Sequence, residues 1–297
     1  MRMSSSNPAL KRAVGSGQQR GYAPYQQGYH GYAQPGQPYG QSYGQPGHQY
    51  GQGGPQQPMA PPERSLTIDD VVVRTGLTLG MVILTAALTY FVGALVDPGL
   101  VFPLTIVGAL GGLVLGLVIG FKQSTNPVLI MIYAALQGLF VGGLSFILET
   151  NLAQQGIGGG GSLVLPAVLG TLFVAGTMLA LYKFEIIRVT NTFMKVVMAA
   201  AIGLVIALLA NFVLAFFIPG GMGLREPSWL GLGICLVAVV IAAMMLAIEF
   251  KMIDEAIANR MPERFSWQLA FGLTLTLVWI YIEILRMIWI LKTMFAD

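Results

Sequence analysis

Two short segments place charge inside or beside long apolar runs. One reads Ala247-Ile248-Glu249-Phe250-Lys251-Met252-Ile253-Asp254-Glu255, the other Trp279-Ile280-Tyr281-Ile282-Glu283-Ile284-Leu285-Arg286. A carboxylate surrounded by hydrocarbon is costly unless it holds a proton, a cation or a base, so its presence inside an apolar span points to function. Glu283 sits well inside such a span. Arg286, three residues on, shares its helical face, so a purely local ion pair is the competing reading. Glu249 lies near a span boundary, where a solvated rim carboxylate is as natural as a buried one. Lys251, Asp254 and Glu255 read as a solvated helix extension.

Other chemistries are poorly supplied. The two histidines, His30 and His48, both fall in the first fifty residues, and Cys235 is the single cysteine. That leaves no histidine zinc site, haem ligand, disulfide or Ser-His-Asp triad for the apolar part of the chain. No Gly-x-Ser-x-Gly or His-Glu-x-x-His occurs, and the glycine run 158–161 lacks the following Gly-Lys-Ser/Thr of a phosphate cradle. The expectation is a non-enzyme with no cofactor.

The elements that must position these carboxylates are membrane helices. The 297 residues are 55% hydrophobic and 10% charged, with mean hydropathy +0.70, against about 25% charged in soluble domains. A net charge of +3 is too small to argue for nucleic acid. Residues 1–64 are a different object, with Tyr22, Tyr25, Tyr29, Tyr32, Tyr39, Tyr43 and Tyr50 spaced through Gly, Gln and Pro. Such a segment buries too little apolar surface to offset its ordering entropy, and a disordered tail is expected. Its basic start lacks the apolar stretch of a signal peptide. Order should begin near Ser65, where Thr67 and Asp70 form a capping-box start.

Seven uncharged stretches follow, at 75–96, 98–121, 123–148, 150–182, 196–224, 227–248 and 265–282. Each approaches or exceeds the ~18–20 residues that cross a ~30 Å hydrocarbon core. The expected fold is therefore all-α: a polytopic bundle of seven transmembrane helices over residues 65–297. With the N-terminus inside, the inner flanks hold nine basic residues (Arg64, Arg74, Lys122, Lys183, Arg188, Lys195, Lys251, Arg260 and Arg264) and the outer flanks two, Arg225 and Lys292. That bias predicts a cytoplasmic N-terminus and an outside C-terminus. Gly108, Gly112, Gly116 and Gly120 on the second helix, and Gly138 and Gly142 on the third, clear faces for close backbone contact.

Glu249-Phe250-Lys251-Met252-Ile253-Asp254-Glu255 resembles the Asp-Thr-Gln-x-Ile-Ile-Glu segment in the sixth helix of the Bax inhibitor family. Tyr281-Ile282-Glu283-Ile284-Leu285 is similar to the Phe-Leu-Asp-Phe-Ile segment of its seventh. The stretch from Asp69 to Leu77 and the low-complexity tail look like its bacterial, actinobacterial-type branch. The resemblance covers about residues 65–297. It implies a bundle with the last helix central, placed in a bacterial plasma membrane, and a pH-sensitive calcium leak. It also implies an acidic pair, here Glu249 and Glu283, that closes or opens the path and could supply a weak, transient calcium site.

Both positions carry Glu where the family has Asp, and their separation of 34 residues is about ten longer. With a turn near 260–262, straight antiparallel helices leave the two offset by roughly 15 Å. A turn centred near Ser266 removes the offset but leaves a long inner extension of the sixth helix. If the two do not meet, Glu283 would pair locally with Arg286, and Glu249 with an inner-rim base such as Lys122 or Arg74. A second function stays open: a non-conducting regulator or scaffold of a membrane protease or stress response, with membrane-protein partners. With no membrane histidine, pH sensing in the leak falls to the carboxylates.

Overall fold

The computed structural model describes residues 64–157 and 161–295. The tail expected to be disordered and most of the glycine run lie outside the described residues. Among the described residues, seven helices are long and apolar enough to cross a membrane. They are α1 (Ile68–Leu95), α2 (Val101–Lys122, after a 3-10 turn at Pro98–Leu100), α3 (Pro127–Gln154), α4 (Val164–Lys183), α5 (Asn191–Leu214), α6 (Trp229–Ala258) and α7 (Phe265–Met294).

Local chemistry sets where they start. Thr67 Oγ1 accepts the Asp70 N–H while the Asp70 carboxylate accepts the Thr67 N–H at 3.0 Å, completing the capping box. Asn126, Thr190 and Ser228 accept first-turn N–H groups of α3, α5 and α6 at 2.9, 3.1 and 3.1 Å. Several boundaries differ from the uncharged stretches, and the following carry the site. α3 runs through Glu149 to Gln154, because that carboxylate is buried and bonded rather than solvated. α6 continues to Ala258 as an amphipathic extension, and α7 continues past Glu283 and Arg286 to Met294. Residues 215–228 leave α5 as a series of turns, with Gly220, Gly221 and Gly223 at positive φ.

α7 is the axis of the bundle, packing on α6, α1, α4 and α3. α3 is the second inner helix, holding α1 on one side and α2 on the other, while α5 leans on α6. The glycine seams explain how α1, α2 and α3 come so close. A Cβ at Gly142 would fall on the backbone of Ala86, and one at Gly138 on Thr85 and the Val82 carbonyl, all in α1. A Cβ at Gly108 would meet the Phe140 nitrogen of α3 at 2.5 Å, whereas Gly120 faces open space. Gly142→Ala should therefore force α1 and α3 apart and cost about 1–3 kcal/mol, while Gly120→Ala stays near neutral. Thermal melting of the detergent-solubilised variants measures the difference, and equal melting points would refute the seam.

The end of the bundle where α1 begins is clamped. Leu66 N–H donates to the Met261 carbonyl at 2.8 Å and Glu263 N–H to the Arg64 carbonyl at 2.9 Å. Arg74 pairs with the Glu263 carboxylate and stacks over Trp267. This near end therefore ties the start of α1 to the α6–α7 turn.

Candidate functional site

Four polar levels follow one another along α7 from the near end to the far end. At the first, Thr274 Oγ1 meets Thr78 Oγ1 of α1 at 2.7 Å. At the second, Thr276 donates to Glu249 Oε1 of α6 at 2.5 Å. The Glu249 carboxyl lies over Gly272, where a Cβ would stand 3.6 Å away, and within electrostatic reach of the Tyr133 phenol of α3. Its other oxygen, Oε2, is buried with no hydrogen-bond partner among the described residues. Part of the Glu249 side chain reaches the surface, but the carboxyl itself is enclosed.

The third level is the pair Tyr281 Oη and Ser145 Oγ of α3, 2.9 Å apart. The fourth is Glu283. Its side chain is 2% exposed and takes Arg286 Nη1 at 3.2 Å and Arg225 Nη2 at 3.7 Å. Arg286 is local, as the spacing of three on a helix dictates. Arg225 arrives from the turns between α5 and α6, folded back over the far end. Cys235 of α6 lies against the same carboxylate. Two guanidiniums face one carboxylate, and Arg286 Nη2, buried, has no hydrogen-bond partner among the described residues.

Glu249 and Glu283 share no partner. Glu249 is level with Gly272 and Thr276, so Glu283 lies seven residues or more beyond it along α7, about 10 Å at 1.5 Å per residue. This follows from the turn between α6 and α7 at 259–264, which gives the two sides of the hairpin unequal lengths. Glu249 also does not take the rim base expected of it. Arg74 is engaged by Glu263, and the hydrogen-bond donor that reaches Glu249 is the Thr276 hydroxyl.

Glu149 is a third buried carboxylate, 5% exposed, that the residue pattern had reduced to a boundary between stretches. Oε1 accepts the Ser162 N–H at 2.5 Å and Oε2 the Tyr90 hydroxyl at 2.8 Å. The signal for it was present: Glu149 is the single charged residue between Lys122 and Lys183. Arg225 had no comparable signal, since nothing in its spacing aims it at Glu283. Among the described residues, no group of three or more His, Cys, Asp or Glu could hold a metal ion together.

Seven apolar helices around a polar axis that carries buried carboxylates define a polytopic integral membrane protein. More narrowly, the chain belongs to the Bax inhibitor 1 like family, whose model matches residues 7–293. No curated protein matches it.

Proposed function

We propose that this protein is a passive cation leak, with calcium as the permeant ion, gated by protonation of carboxylates inside the membrane. In the same reading it is a non-enzyme in a bacterial plasma membrane, with its N-terminus in the cytoplasm, as the nine-to-two basic bias indicates. The observation that carries the proposal is Glu249: an enclosed carboxylate with one oxygen bound by Thr276 and the other without a partner. A proton or a passing cation satisfies that oxygen. One carboxylate plus nearby hydroxyls is far from the six to eight oxygens of a tight calcium site. Such weakness suits conduction, which requires the ion to leave. Beyond it, Glu283 is already neutralised by Arg286 and Arg225, so the far end is closed to cations while Arg225 stays bound.

Liposomes loaded with a calcium dye test this directly. Glu249→Gln should lower the flux about tenfold, equivalent to ~1.4 kcal/mol of lost attraction for the ion, with the protein still folded by its melting curve. Absence of flux through the wild-type protein would leave the regulator or scaffold as the function.

A further inference from the structure

A groove of 440 Å³ opens between α1 and α4 at the far end, walled behind by α3 and α7. α1 packs on α3 and α7, and α4 on α7 and α6, rather than on each other, which is why the gap exists. Its sides are hydrocarbon: Leu79, Val82 and Ile83 of α1, Val168 and Leu172 of α4, and Leu277 of α7. The bonded hydroxyls of Tyr281 and Ser145 stand in its back wall.

Its dimensions and charge identify an occupant. From Leu79 to Phe91 the groove follows α1 for twelve residues, about 18 Å, close to the ~15 Å of half a hydrocarbon core. It therefore reaches through one leaflet and stops. At its mouth, next to Gly161, the Lys292 ammonium donates to the Ser162 carbonyl at 3.2 Å, and Ser162 Oγ is buried with no hydrogen-bond partner among the described residues. Glu149 lies at the same end, but its two oxygens are taken by Ser162 N–H and the Tyr90 hydroxyl. A long apolar slot ending at a lysine and an unpaired hydroxyl is complementary to an acyl chain ending in a phosphate diester. We propose that the groove holds one acyl chain of a phospholipid from the leaflet at the far end, with its phosphate against Lys292 and Ser162. A lipid there rests on α7 two residues from Glu283, and the inference does not depend on conduction.

The test uses the full chain in phosphatidylcholine nanodiscs doped with a phosphatidylglycerol bearing a diazirine near one chain end. After irradiation, peptide mapping should find the label on Leu172 and Leu277 in several-fold excess over Leu113 of α2 and Val205 of α5. Those two residues face outward, 58% and 49% exposed, and so meet ordinary boundary lipid. Val168→Trp, which fills the slot from a partly exposed position, should abolish the excess, and Leu172→Trp should repeat the result. Lys292→Gln should reduce capture of the phosphatidylglycerol probe roughly fivefold and leave a diacylglycerol probe with the same chain unchanged. Even labelling of α2, α5 and the groove would mean boundary lipid only and would overturn the proposal. So would unaltered phosphatidylglycerol capture in Lys292→Gln.

Discussion

Arg286→Met should lower the stability of the protein by about 3–5 kcal/mol, the cost of stranding a buried charge. The Glu283 side chain is 2% exposed and that of Arg286 6%, and their contact is 3.2 Å. Without Arg286 the remaining charged partner of the carboxylate among the described residues is Arg225, at 3.7 Å and on a side chain 43% exposed, which compensates poorly through solvent screening. Adding Glu283→Leu to Arg286→Met should recover most of the loss, because a buried ion pair exchanged for apolar groups is often neutral. Arg225, already reaching solvent, would not be stranded in the double variant. Unfolding of detergent-solubilised protein across the four members of the cycle gives the coupling. A cost for Arg286→Met below ~1 kcal/mol, or a double variant worse than the sum of the singles, would show that the pair does not hold this end of the bundle.

The helices were legible because hydrocarbon length and helix caps are local properties. Seven uncharged stretches became seven spans, and Thr67 with Asp70 capped the first as its residue types require. The pairing of Glu283 with Arg286 was legible for the same reason, since three residues on a helix fix a shared face. The partners that come from elsewhere were not. Arg225 reaches Glu283 only because Gly220, Gly221 and Gly223 turn the chain back at positive φ, and a glycine-rich turn does not announce its direction. Glu249 finds Thr276 because of how α6 and α7 divide the residues of their hairpin, and the sequence allowed more than one turn position. Glu149 was hidden by being treated as an end of a hydrophobic run, although a lone charge in some sixty uncharged residues is a stronger sign of burial than of a boundary. The groove between α1 and α4 depends on which helices fail to touch, which no pattern along the chain records.

On the leak reading, the two carboxylates should control flux in opposite directions. Loss of the charge at Glu283 releases Arg225 and Arg286 and frees the α5–α6 turns at the far end, so flux rises. Loss of the charge at Glu249 removes what attracts the cation, so flux falls. The groups facing Glu283 are Arg286 on its own helix, Arg225 from the turns and Cys235 from α6. Glu283→Gln keeps the size and removes the charge. It should leak at neutral pH about fivefold faster than wild type, the worth of an ion pair with one exposed partner. Arg225→Gln should give the same rise while leaving the Glu283–Arg286 pair intact, which separates release of the turns from loss of the buried pair. Calcium-dye liposomes read at one fixed pH distinguish these outcomes. If Glu283→Gln and Arg225→Gln both leaked no faster than wild type, the far-end arginine would not be the barrier, and control would have to reside at Glu249 alone.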